Sequence, residues 1–410
     1  MGAGAAGLAS AIFVRRRTQS LSVVLLDGAK RPGAKILVSG GGRCNVTNVA
    51  VGDGDFWGGR RTIVRRVLRA FPAADAAAFF QGIGVPLHEE ADGKLFPDTN
   101  RARDVLDRLL HEIENVGATL LAGHRVLDVT RRSGGFAIAT AQGELHASRV
   151  VLATGGLSLP KSGSDGAGIG IAERLGHTIV ATTPALAPLL LADTEPLHRN
   201  LSGVAHEAEL AVWSDGRVQT KLRGSMLWTH FGLSGPVALN ASRHWLRAVA
   251  EGRRPSMSLN MCGGDPLEAV DARIVDLSRA RPTASIQMVL STFLPQSLAA
   301  AVLQQLTIDP LITLAHLPRA ARRTLSGALV EWPLPVTGSR GYNYAEATAG
   351  GVSLGEIDPA TMESRVCRGL FLVGEMLDVD GRLGGFNFQW AWSSAYVAAR
   401  GLTAAAAGLC

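Results

Sequence analysis

The chain has 410 residues, of which 47% are hydrophobic and 19% charged, so it is long enough for two or three domains and too apolar for disorder. Glycine is in excess, at 48 residues, and it has no collagen-like period, which indicates tight turns or close approach of the backbone to a ligand. The formal net charge is +6, but the basic residues are spread along the chain, which favours a solvated surface over a nucleic-acid site.

The cysteines are isolated from one another in the sequence, at positions 44, 262, 367 and 410. Because no CxxC pair occurs, they exclude a disulfide-stapled secreted domain, a thioredoxin-type dithiol and a cysteine-rich zinc site, and we predict no metal. No apolar run approaches the ~18 residues that a membrane span requires, so we expect no membrane partner. These features favour a protein of the reducing cytoplasm.

The N-terminal part of the chain alternates helical and strand-like patterns. Apolar residues at helical spacing predict helices over 4–17, 60–70 and 101–116. Buried strands are predicted at 21–26 and 149–153, and a glycine-rich loop at 33–48. A small antiparallel insert is predicted from the strands 118–121, 124–129, 135–140 and 144–146.

The second half changes composition and then returns to the first pattern. A hairpin is predicted at 205–213 and 216–222, helices within 266–327, a buried strand at 370–373 and a last helix at 388–405. We therefore predict an α/β fold in which residues 1–187 and 336–410 form one Rossmann-like domain. The inserted domain spans 188–335, with a β-rich part at 188–262 and a helical part at 263–330.

The run Gly2-Ala3-Gly4-Ala5-Ala6-Gly7 satisfies the GxGxxG pattern at the start of the first predicted helix. The first two glycines permit a tight turn and close approach of a pyrophosphate, and the third lets the helix pack tightly on the sheet. Asp27 follows the predicted strand 20 residues beyond Gly7, where a carboxylate binds the ribose hydroxyls of a dinucleotide. A role as an N-cap or turn residue is the alternative for Asp27. Together the two features predict a dinucleotide site.

The fingerprint also requires a strand directly before its first glycine, and only Met1 precedes Gly2. That strand has a central place in a sheet of order 3-2-1-4-5-6. We therefore expect that the natural protein has about ten further apolar residues upstream, which complete the first strand. The N-terminal mass of the native protein tests this expectation.

Three later motifs favour FAD over a nicotinamide dinucleotide. Each follows a strand or opens a helix, and they are Val151–Gly156 with Thr154 and Gly155 at its turn, Leu372–Glu375 with Gly374, and Gly384–Gln389 with Gly385. A chain that returns to its first domain with a helix N-terminus available for a flavin carbonyl or a pyrophosphate is typical of a flavoprotein.

The sequence also resembles a known family. The run KILVSGGGRCNVTN at 35–48 is similar to the signature of the BaiN-like (YhiN-like) flavoproteins. These are FAD-dependent oxidoreductases that include aminoacetone oxidase-like and 3-dehydro-bile acid reductase-like proteins. The resemblance continues through most of the chain, in LFP at 95–97, ATGG at 153–156, GH at 176–177, THFGLSGP at 229–236, TAGGVSL at 348–354 and GEMLDVDGRLGGFNFQWAWSSAY at 374–396.

The resemblance implies a Rossmann-like FAD-binding domain, here without its first strand, and an inserted region that is β-barrel-like and helical. It implies that the FAD diphosphate lies at Gly4, Ala5 and Ala6 and the ribose at Asp27. Val126 would meet the adenine side through its backbone. Three residues would approach the ribityl chain and the isoalloxazine ring, namely Glu375, Asn387 and Phe388. The full predicted cofactor set adds Gly2, Gly7, Arg43, Asn45, Thr154, Gly155, Gly374 and Gly385.

No catalytic acid or base is fixed by the sequence. Arg43 and Asn45 lie in the glycine-rich loop and would hold a substrate carbonyl or a flavin oxygen, with Arg43 satisfying loop carbonyls as the alternative. Cys44 has no second cysteine nearby, so a packed small side chain is favoured over a redox thiol.

Three further residues are candidates for a substrate pocket. His230 either meets the flavin from a domain-boundary loop or has a structural role. Tyr342 and Tyr344 are either proton donors or core residues. The catalytic candidates are therefore Arg43, His230 and Tyr344. The glycine-rich segment 162–170 is interpreted as part of the FAD domain, so NAD(P)H, if it is used, binds transiently.

These observations favour a soluble FAD-dependent oxidoreductase that acts on a small organic substrate with NAD(P)H or oxygen as its redox partner. One alternative is a flavin-dependent RNA-modifying protein, motivated by the net charge and by Arg61, Arg65 and Arg69 on one helix face. The other is a non-catalytic flavin-binding module. We expect no nucleic-acid partner, and substrate identity and oligomeric state stay open.

Overall fold

The computed structural model describes residues 1–193 and 197–406. The chain forms two compact units, of which the first combines residues 1–183 with 346–410 and the second spans 184–345. Residues 336–339 pack with the second unit because they pair with a strand of that unit, Leu189–Leu191. The second crossing of the chain between units therefore falls near residue 345, whereas the sequence placed it at 335.

The elements follow one another closely along the chain. The helices are α1 (Ala5–Arg17), α2 (Ala34–Gly42), α3 (Arg61–Ala70), α4 (Ala73–Gly82), α5 (Ala102–Asn115), α6 (Ala167–Arg174), α7 (Leu197–Asn200), α8 (Gly235–Ala250), α9 (Leu267–Ala280), α10 (Ile286–Leu290), α11 (Gln296–Gln305), α12 (Arg319–Val330) and α13 (Phe386–Ala406). The strands are β1 (Val24–Asp27), β2 (Thr47–Asn48), β3 (Phe56–Gly58), β4 (Leu87–Glu90), β5 (Lys94–Pro97), β6 (Thr119–Ala122), β7 (Val126–Arg132), β8 (Gly135–Thr140), β9 (Gly143–Ala147), β10 (Val150–Leu152), β11 (Ile179–Ala185), β12 (Leu189–Leu191), β13 (Ala205–Ser214), β14 (Arg217–Thr229), β15 (Gly232–Ser234), β16 (Pro255–Asn260), β17 (Trp332–Leu334), β18 (Val336–Ser339), β19 (Ala347–Val352), β20 (Leu370–Leu372) and β21 (Val379–Gly381).

The first unit is organised around two parallel strand pairs, β1 with β6 and β10 with β20. The backbone at Met1 and Gly2 lies between the two pairs. Gly2 N donates to Leu26 O of β1 at 2.7 Å, and Ala153 N, after β10, donates to Met1 O at 2.9 Å. The Met1 ammonium donates to Val151 O at 2.9 Å. The residues just before the glycine turn thus take the central place that the Rossmann order gives to the first strand.

Two local sequence predictions for this unit are wrong. The segment 119–122 pairs with β1, so the antiparallel insert contains three strands, β7, β8 and β9, instead of four. The predicted loop 33–48 contains helix α2, which forms because Ile36 is buried. The helix is interrupted where Ser39 becomes extended and where Gly40 and Gly41 take φ values of 55° and 68°, a left-handed conformation that favours glycine.

Helix α13 brings the C-terminal part of the chain onto helix α1. The rings of Phe13 and Tyr396 meet edge to face with centroids 5.5 Å apart. Trp392 Nε1 donates to Val46 O at 2.9 Å, which also fixes the helix to the segment before β2. Because both tryptophans of this helix, Trp390 and Trp392, are fully buried, α13 is a central part of the core of the first unit.

The second unit contains a seven-stranded antiparallel sheet in the order β17-β16-β13-β14-β15-β12-β18. Its longest hairpin, β13–β14, turns at Asp215 and Gly216, whose φ values of 51° and 76° fit a two-residue turn. Among the described residues β17 and β18 pair only on one side, so the sheet is open. The predicted barrel-like closure is therefore wrong, while the predicted mixture of a β-rich and a helical part is present.

Candidate functional site

The glycine turn before α1 depends on close backbone contacts. Gly2 has a φ of 89°, and a Cβ on it would lie 2.5 Å from Ala153 O. A Cβ on Gly7 would lie 1.8 Å from Gly2 O, so no larger residue fits there without movement of the backbone. A Cβ on Gly4 would have no heavy atom within 4 Å. The turn is thus closed toward the sheet at Gly2 and Gly7 and open to a ligand at Gly4.

The N-terminus of α1 is suited to an anion. Gly4 is the N-cap residue and offers no side chain to the first amides of the helix, which belong to Ala5, Ala6 and Gly7. The first turn also contains no acidic residue. Uncapped amides and the positive end of the helix dipole together favour a phosphate group at this place.

Asp27 lies at the end of β1 beside the glycine turn. Its Oδ2 accepts a hydrogen bond from Ala3 N at 2.6 Å, and its Oδ1 accepts one from Ala29 N at 2.7 Å. Both carboxylate oxygens keep a lone pair, because each can accept about two hydrogen bonds. Asp27 therefore acts as a turn residue, and its carboxylate is also partly exposed beside the glycine turn.

Val126 begins β7 close to the end of β1. The preceding residue, Arg125, has its Cδ 3.2 Å from the position that a Cβ on Gly28 would take. Val126 pairs with Thr140, and the register shifts directly after it. Its backbone is thus near Asp27 in the fold, and its adenine-side role stays a prediction.

Thr154 and Gly155 follow β10, next to the glycine turn. The Thr154 hydroxyl is buried without a hydrogen-bond partner among the described residues. It lies 1.9 Å from the position of a Cβ on Gly168, so it packs against helix α6. Gly155 has a φ of 74°, and a Cβ there would lie 2.6 Å from Ser164 Oγ. The segment 162–170 therefore packs on the same strand end as part of the first unit.

Gly374 connects the C-terminal part of the chain to the glycine turn. It follows β20 with a φ of 73°, and a Cβ on it would lie 2.9 Å from Ala6 Cβ. Gly374 N donates to Ser394 Oγ at 3.0 Å, and its carbonyl accepts from Trp390 Nε1 at 3.1 Å. Helix α13 thus holds this turn against the start of α1.

Glu375 is the centre of a charged network that sequence reasoning missed. Its Oε2 accepts from Lys35 Nζ at 2.5 Å, and its Oε1 accepts from Ser158 Oγ at 2.7 Å and Thr348 N at 2.9 Å. Lys35 Nζ also donates to Ser158 Oγ at 2.6 Å. The two charged side chains are only 22% and 17% exposed. Lys35 opens the motif at 35–48, but nothing local in the sequence indicates a partner 340 residues away.

Asn45 and Gly385 hold two glycine-rich segments together. A Cβ on Gly385 would lie 2.5 Å from Thr47 O, so this glycine is required by close approach. In the amide orientation that satisfies both ends, Asn45 donates to Thr47 O at 2.8 Å and accepts from Gly385 N at 3.1 Å. Asn45 is buried, and its amide is used within the chain.

The start of α13 places Asn387 and Phe388 at the surface of the core. The Asn387 side chain accepts from Gly381 N at 2.8 Å and donates to Gly381 O at 3.0 Å. Phe388 is half-buried and stacks on Trp392 with ring centroids 5.5 Å apart. Asn387 therefore stabilises the turn before α13, and its contact with the flavin stays a prediction.

Arg43 pairs with the β4–β5 hairpin. Its Nη1 donates to Glu90 Oε1 at 2.6 Å, and its guanidinium carbon lies 4.0 Å from the centre of the Phe96 ring. The hydrogen bond from Arg43 lowers the pKa of the Glu90 carboxyl. Neither of the two roles predicted for Arg43 describes this contact, since the partner is a side-chain carboxylate.

Cys44 is fully buried, and burial raises the pKa of its thiol to about 12. Only the thiolate reacts, and burial disfavours the thiolate, so Cys44 of the folded protein should be unreactive at pH 8. We expect native protein treated with iodoacetamide at pH 8 to carry no label on the Cys44 peptide, and urea-unfolded protein to be labelled there. Peptide mass spectrometry measures both. Rapid labelling of native Cys44 would contradict the packed role.

The candidates His230 and Tyr344 lie in the second unit, where Arg340 and Phe231 connect them. Arg340 has its guanidinium carbon 3.5 Å from the centre of the Tyr344 ring and 4.6 Å from that of Phe231. Phe231 in turn meets His230 edge to face at 5.1 Å. Sequence reasoning missed Arg340, because its role depends on two loops far apart in the chain.

Residues 1–193 and 197–406 contain neither a candidate metal-binding group nor a candidate membrane-spanning helix. Their histidine, cysteine, aspartate and glutamate side chains form no group of three or more that could hold a metal ion. No helix in these ranges has both the length and the apolar character to cross a bilayer.

Comparison with known proteins decides the family. Residues 1–401 match the profile described as HI0933-like protein Rossmann domain. The chain belongs to this HI0933-like family. The match confirms the family-level resemblance first seen in the motif at 35–48 and the prediction of a Rossmann-like domain.

Curated relatives and a solved structure agree with this assignment. The HI0933-like chain is 35% identical over 405 residues to a ribosomal RNA dihydrouridine synthase of Escherichia coli K12, covering 99% of this chain and 97% of the relative. It is 32% identical over 403 residues to a 3-dehydro-bile acid delta(4,6)-reductase of Clostridium scindens, covering 98% and 97%. A 3-ketosteroid delta1-dehydrogenase from Sterolibacterium denitrificans has the same fold, with a TM-score of 0.50 at 12% identity and coverage of 98% of each chain.

The HI0933-like protein is a flavin-dependent oxidoreductase, and its cofactor is FAD. The residues present fit this group. The open space at Gly4, the uncapped amides of α1 and the half-exposed carboxylate of Asp27 lie side by side, as a dinucleotide requires. When bound, FAD supplies hydride transfer.

Proposed function

We propose that this protein reduces a carbon–carbon double bond conjugated to a carbonyl group, with NAD(P)H as the reductant. One observation carries the proposal: two relatives with nearly equal identity, 35% and 32%, have names that describe this same reaction on different substrates. Dihydrouridine is uridine with its ring double bond next to a carbonyl saturated. A delta(4,6)-reductase of a 3-oxo steroid likewise removes double bonds conjugated to the ketone.

The electron balance favours NAD(P)H over oxygen as the partner. Reduction breaks one carbon–carbon π bond and forms two C–H bonds, which requires a hydride and a proton. NAD(P)H gives the hydride and becomes NAD(P)⁺, and solvent gives the proton. Oxygen only accepts electrons, so it fits an oxidase and not this reaction. We also infer a cytoplasmic location, where NAD(P)H is present and the thiols of Cys44, Cys262 and Cys367 stay free.

The first candidate substrate is a small organic enone, as the sequence predicts and as the bile acid reductase supports. The second is uridine in RNA, which the dihydrouridine synthase supports. The basic helix α3 adds little to the second candidate, because Arg65 and Arg61 both pair with Asp53, at 2.9 and 3.3 Å. Of the three arginines on this face of α3, only Arg69 is exposed and forms no ion pair with a carboxylate of the described residues.

An anaerobic experiment tests the reaction class. FAD-loaded protein is reduced with NADH or NADPH, and flavin absorbance near ~450 nm is followed after addition of 4-androstene-3,17-dione or of unmodified rRNA transcripts. We expect reoxidation by one of the two and a product two hydrogens heavier by mass spectrometry. The saturated steroid and a transcript already containing dihydrouridine are the matched controls. If neither alkene reoxidises the flavin while oxygen does, the protein is an oxidase and the proposal is wrong.

A further inference from the structure

Lys35, Ser158 and Glu375 come from three separate segments of the first unit. Lys35 lies in the first turn of α2, Ser158 follows β10, and Glu375 follows β20. Because β10 and β20 pair in parallel, the segments that leave them start at the same edge of the sheet. We call these three residues the Lys35 network. The fold thus brings a lysine to the sheet edge where two strands of the Rossmann-like domain end.

The Lys35 network lies beside the glycine turn. Glu375 is joined to Gly374, and a Cβ on Gly374 would lie 2.9 Å from Ala6 Cβ in the first turn of α1. Strand β10, which leads toward Ser158, continues into Ala153, whose amide donates to Met1 O at 2.9 Å. Both strands that lead to the network therefore also contact the segment that opens α1.

The Lys35 ammonium keeps one hydrogen-bond donor. A lysine ammonium has three N–H donors. Two of them bond to Glu375 Oε2 at 2.5 Å and Ser158 Oγ at 2.6 Å, and in residues 1–193 and 197–406 the ammonium has no third acceptor. The side chain is 22% exposed, so the protein does not enclose it completely. Lys35 is thus a cation held by two partners with a donor left for a ligand.

The charges near the start of α1 explain why a cation is needed there. The diphosphate of FAD is an anion, and Glu375 adds a carboxylate next to the residue that touches Ala6. Two negative groups repel each other, and the repulsion grows where water is partly excluded. The first turn of α1, from Ala5 to Leu8, contains no charged side chain. The Lys35 ammonium offsets the charge of Glu375 and adds attraction for a phosphate.

We propose that Lys35 is a further FAD-binding residue, whose third N–H donates to an oxygen of the diphosphate while Glu375 and Ser158 hold the ammonium in place. Charge-assisted hydrogen bonds to phosphate are among the strong ones in proteins, and lysine binds phosphate as a point charge. Lys35 is absent from the cofactor set that the sequence predicts. Its role rests on our placement of the diphosphate at α1 and is independent of the substrate that the flavin reduces.

The test is titration of the flavin-free full chain with FAD, followed by flavin fluorescence, with ADP and adenosine as competitors. We expect Lys35→Met to raise Kd for FAD and for ADP about tenfold or more, because a hydrogen bond between a cation and a phosphate is lost. Adenosine has no phosphate, so its Kd should change by less than about twofold. Lys35→Arg keeps the positive charge and should recover most of the affinity.

The matched control is Lys221→Met, which removes a lysine that also pairs with a glutamate, Glu209 at 3.4 Å, but lies in the second unit. It should leave the affinity for FAD unchanged. If Lys35→Met does not fold, Lys35→Gln keeps the chain length and a neutral donor, and it should raise Kd for FAD and ADP about fivefold.

Melting temperatures show which variants are folded at the temperature of the titration. Folded Lys35→Met or Lys35→Gln with wild-type Kd for FAD and ADP would overturn the role of Lys35. An equal rise for FAD, ADP and adenosine would also overturn it, since that result describes a structural ion pair. If Gly4→Ala weakens FAD binding and the Lys35 variants do not, the diphosphate lies at α1 without Lys35. If neither change affects FAD, the placement of the diphosphate is itself wrong.

Discussion

Replacing Gly7 by alanine is expected to destabilise the flavin-binding unit by about 3 kcal/mol or more. The new Cβ would lie 1.8 Å from Gly2 O, and a backbone atom cannot move aside as a flexible side chain does. Gly4→Ala is expected to leave the apoprotein nearly as stable as the wild type. Its φ of −84° suits alanine and its Cβ meets nothing, so the apoprotein should lose no more than about 1 kcal/mol from the changed N-cap.

The two variants separate folding from cofactor binding. Because the Gly4 Cβ would enter the open space where we propose that the diphosphate lies, Gly4→Ala should weaken FAD binding about tenfold or more, equivalent to about 1.4 kcal/mol. Urea unfolding of the apoprotein and flavin fluorescence titration measure the two effects. Gly82→Ala is the matched control, since its Cβ would also meet nothing and it lies in helix α4. Wild-type FAD affinity in Gly4→Ala would place the diphosphate elsewhere.

Removing the carboxylate of Glu375 is expected to cause the second largest loss of folding stability. Glu375→Ala removes an acceptor from the Lys35 ammonium and the Ser158 hydroxyl, and removes the acceptor of the Thr348 amide. A hydrogen bond to a charged group contributes about 1.5–3 kcal/mol, and the partial exposure of the pair places the expected loss toward about 2 kcal/mol. Glu375→Gln keeps an oxygen for Thr348 N and should lose less.

A double-mutant cycle measures the interaction energy between Lys35 and Glu375. The double variant Lys35→Met, Glu375→Ala should lose less stability than the sum of the two single changes, by about 1 kcal/mol or more. The control cycle uses Arg174 and Asp128, an ion pair of the same unit at 2.9 Å with side chains 56% and 47% exposed. Its coupling should be no more than about 0.5 kcal/mol. Equal couplings in the two cycles would show that the Lys35–Glu375 contact is an ordinary surface pair.

Local spacing predicted the parts of the fold that depend on neighbouring residues. The helix at 5–17, the strand before Asp27 and the glycine turn follow from patterns that span fewer than thirty residues. The first of the four predicted insert strands, at 118–121, was assigned wrongly because strand partners are not encoded locally: Thr119–Ala122 pairs in parallel with β1, almost a hundred residues earlier. The barrel-like closure was wrong for the same reason, since closure depends on whether β17 and β18 meet.

The residues of the candidate site also fall into those with a local sequence pattern and those whose partners are distant in the sequence. Gly4, Asp27 and Gly374 were predicted because each sits at a strand end or helix start that has a recognisable pattern. Lys35 and Arg340 were missed, because a lysine in a loop motif and an arginine after a strand have no local mark of function. Their roles come from partners at 375 and 231, which only the folded chain brings near.

The arrangement of the units also has a consequence for synthesis of the protein. The second unit is one continuous segment, whereas the first needs β20 and α13 from the far end of the chain. On the ribosome, residues 184–345 emerge complete while the glycine turn still lacks its partner at Gly374 and the covering helix. Until β20 and α13 have been made, the nascent chain exposes an unfinished sheet, so we expect FAD capture to be a late step of folding.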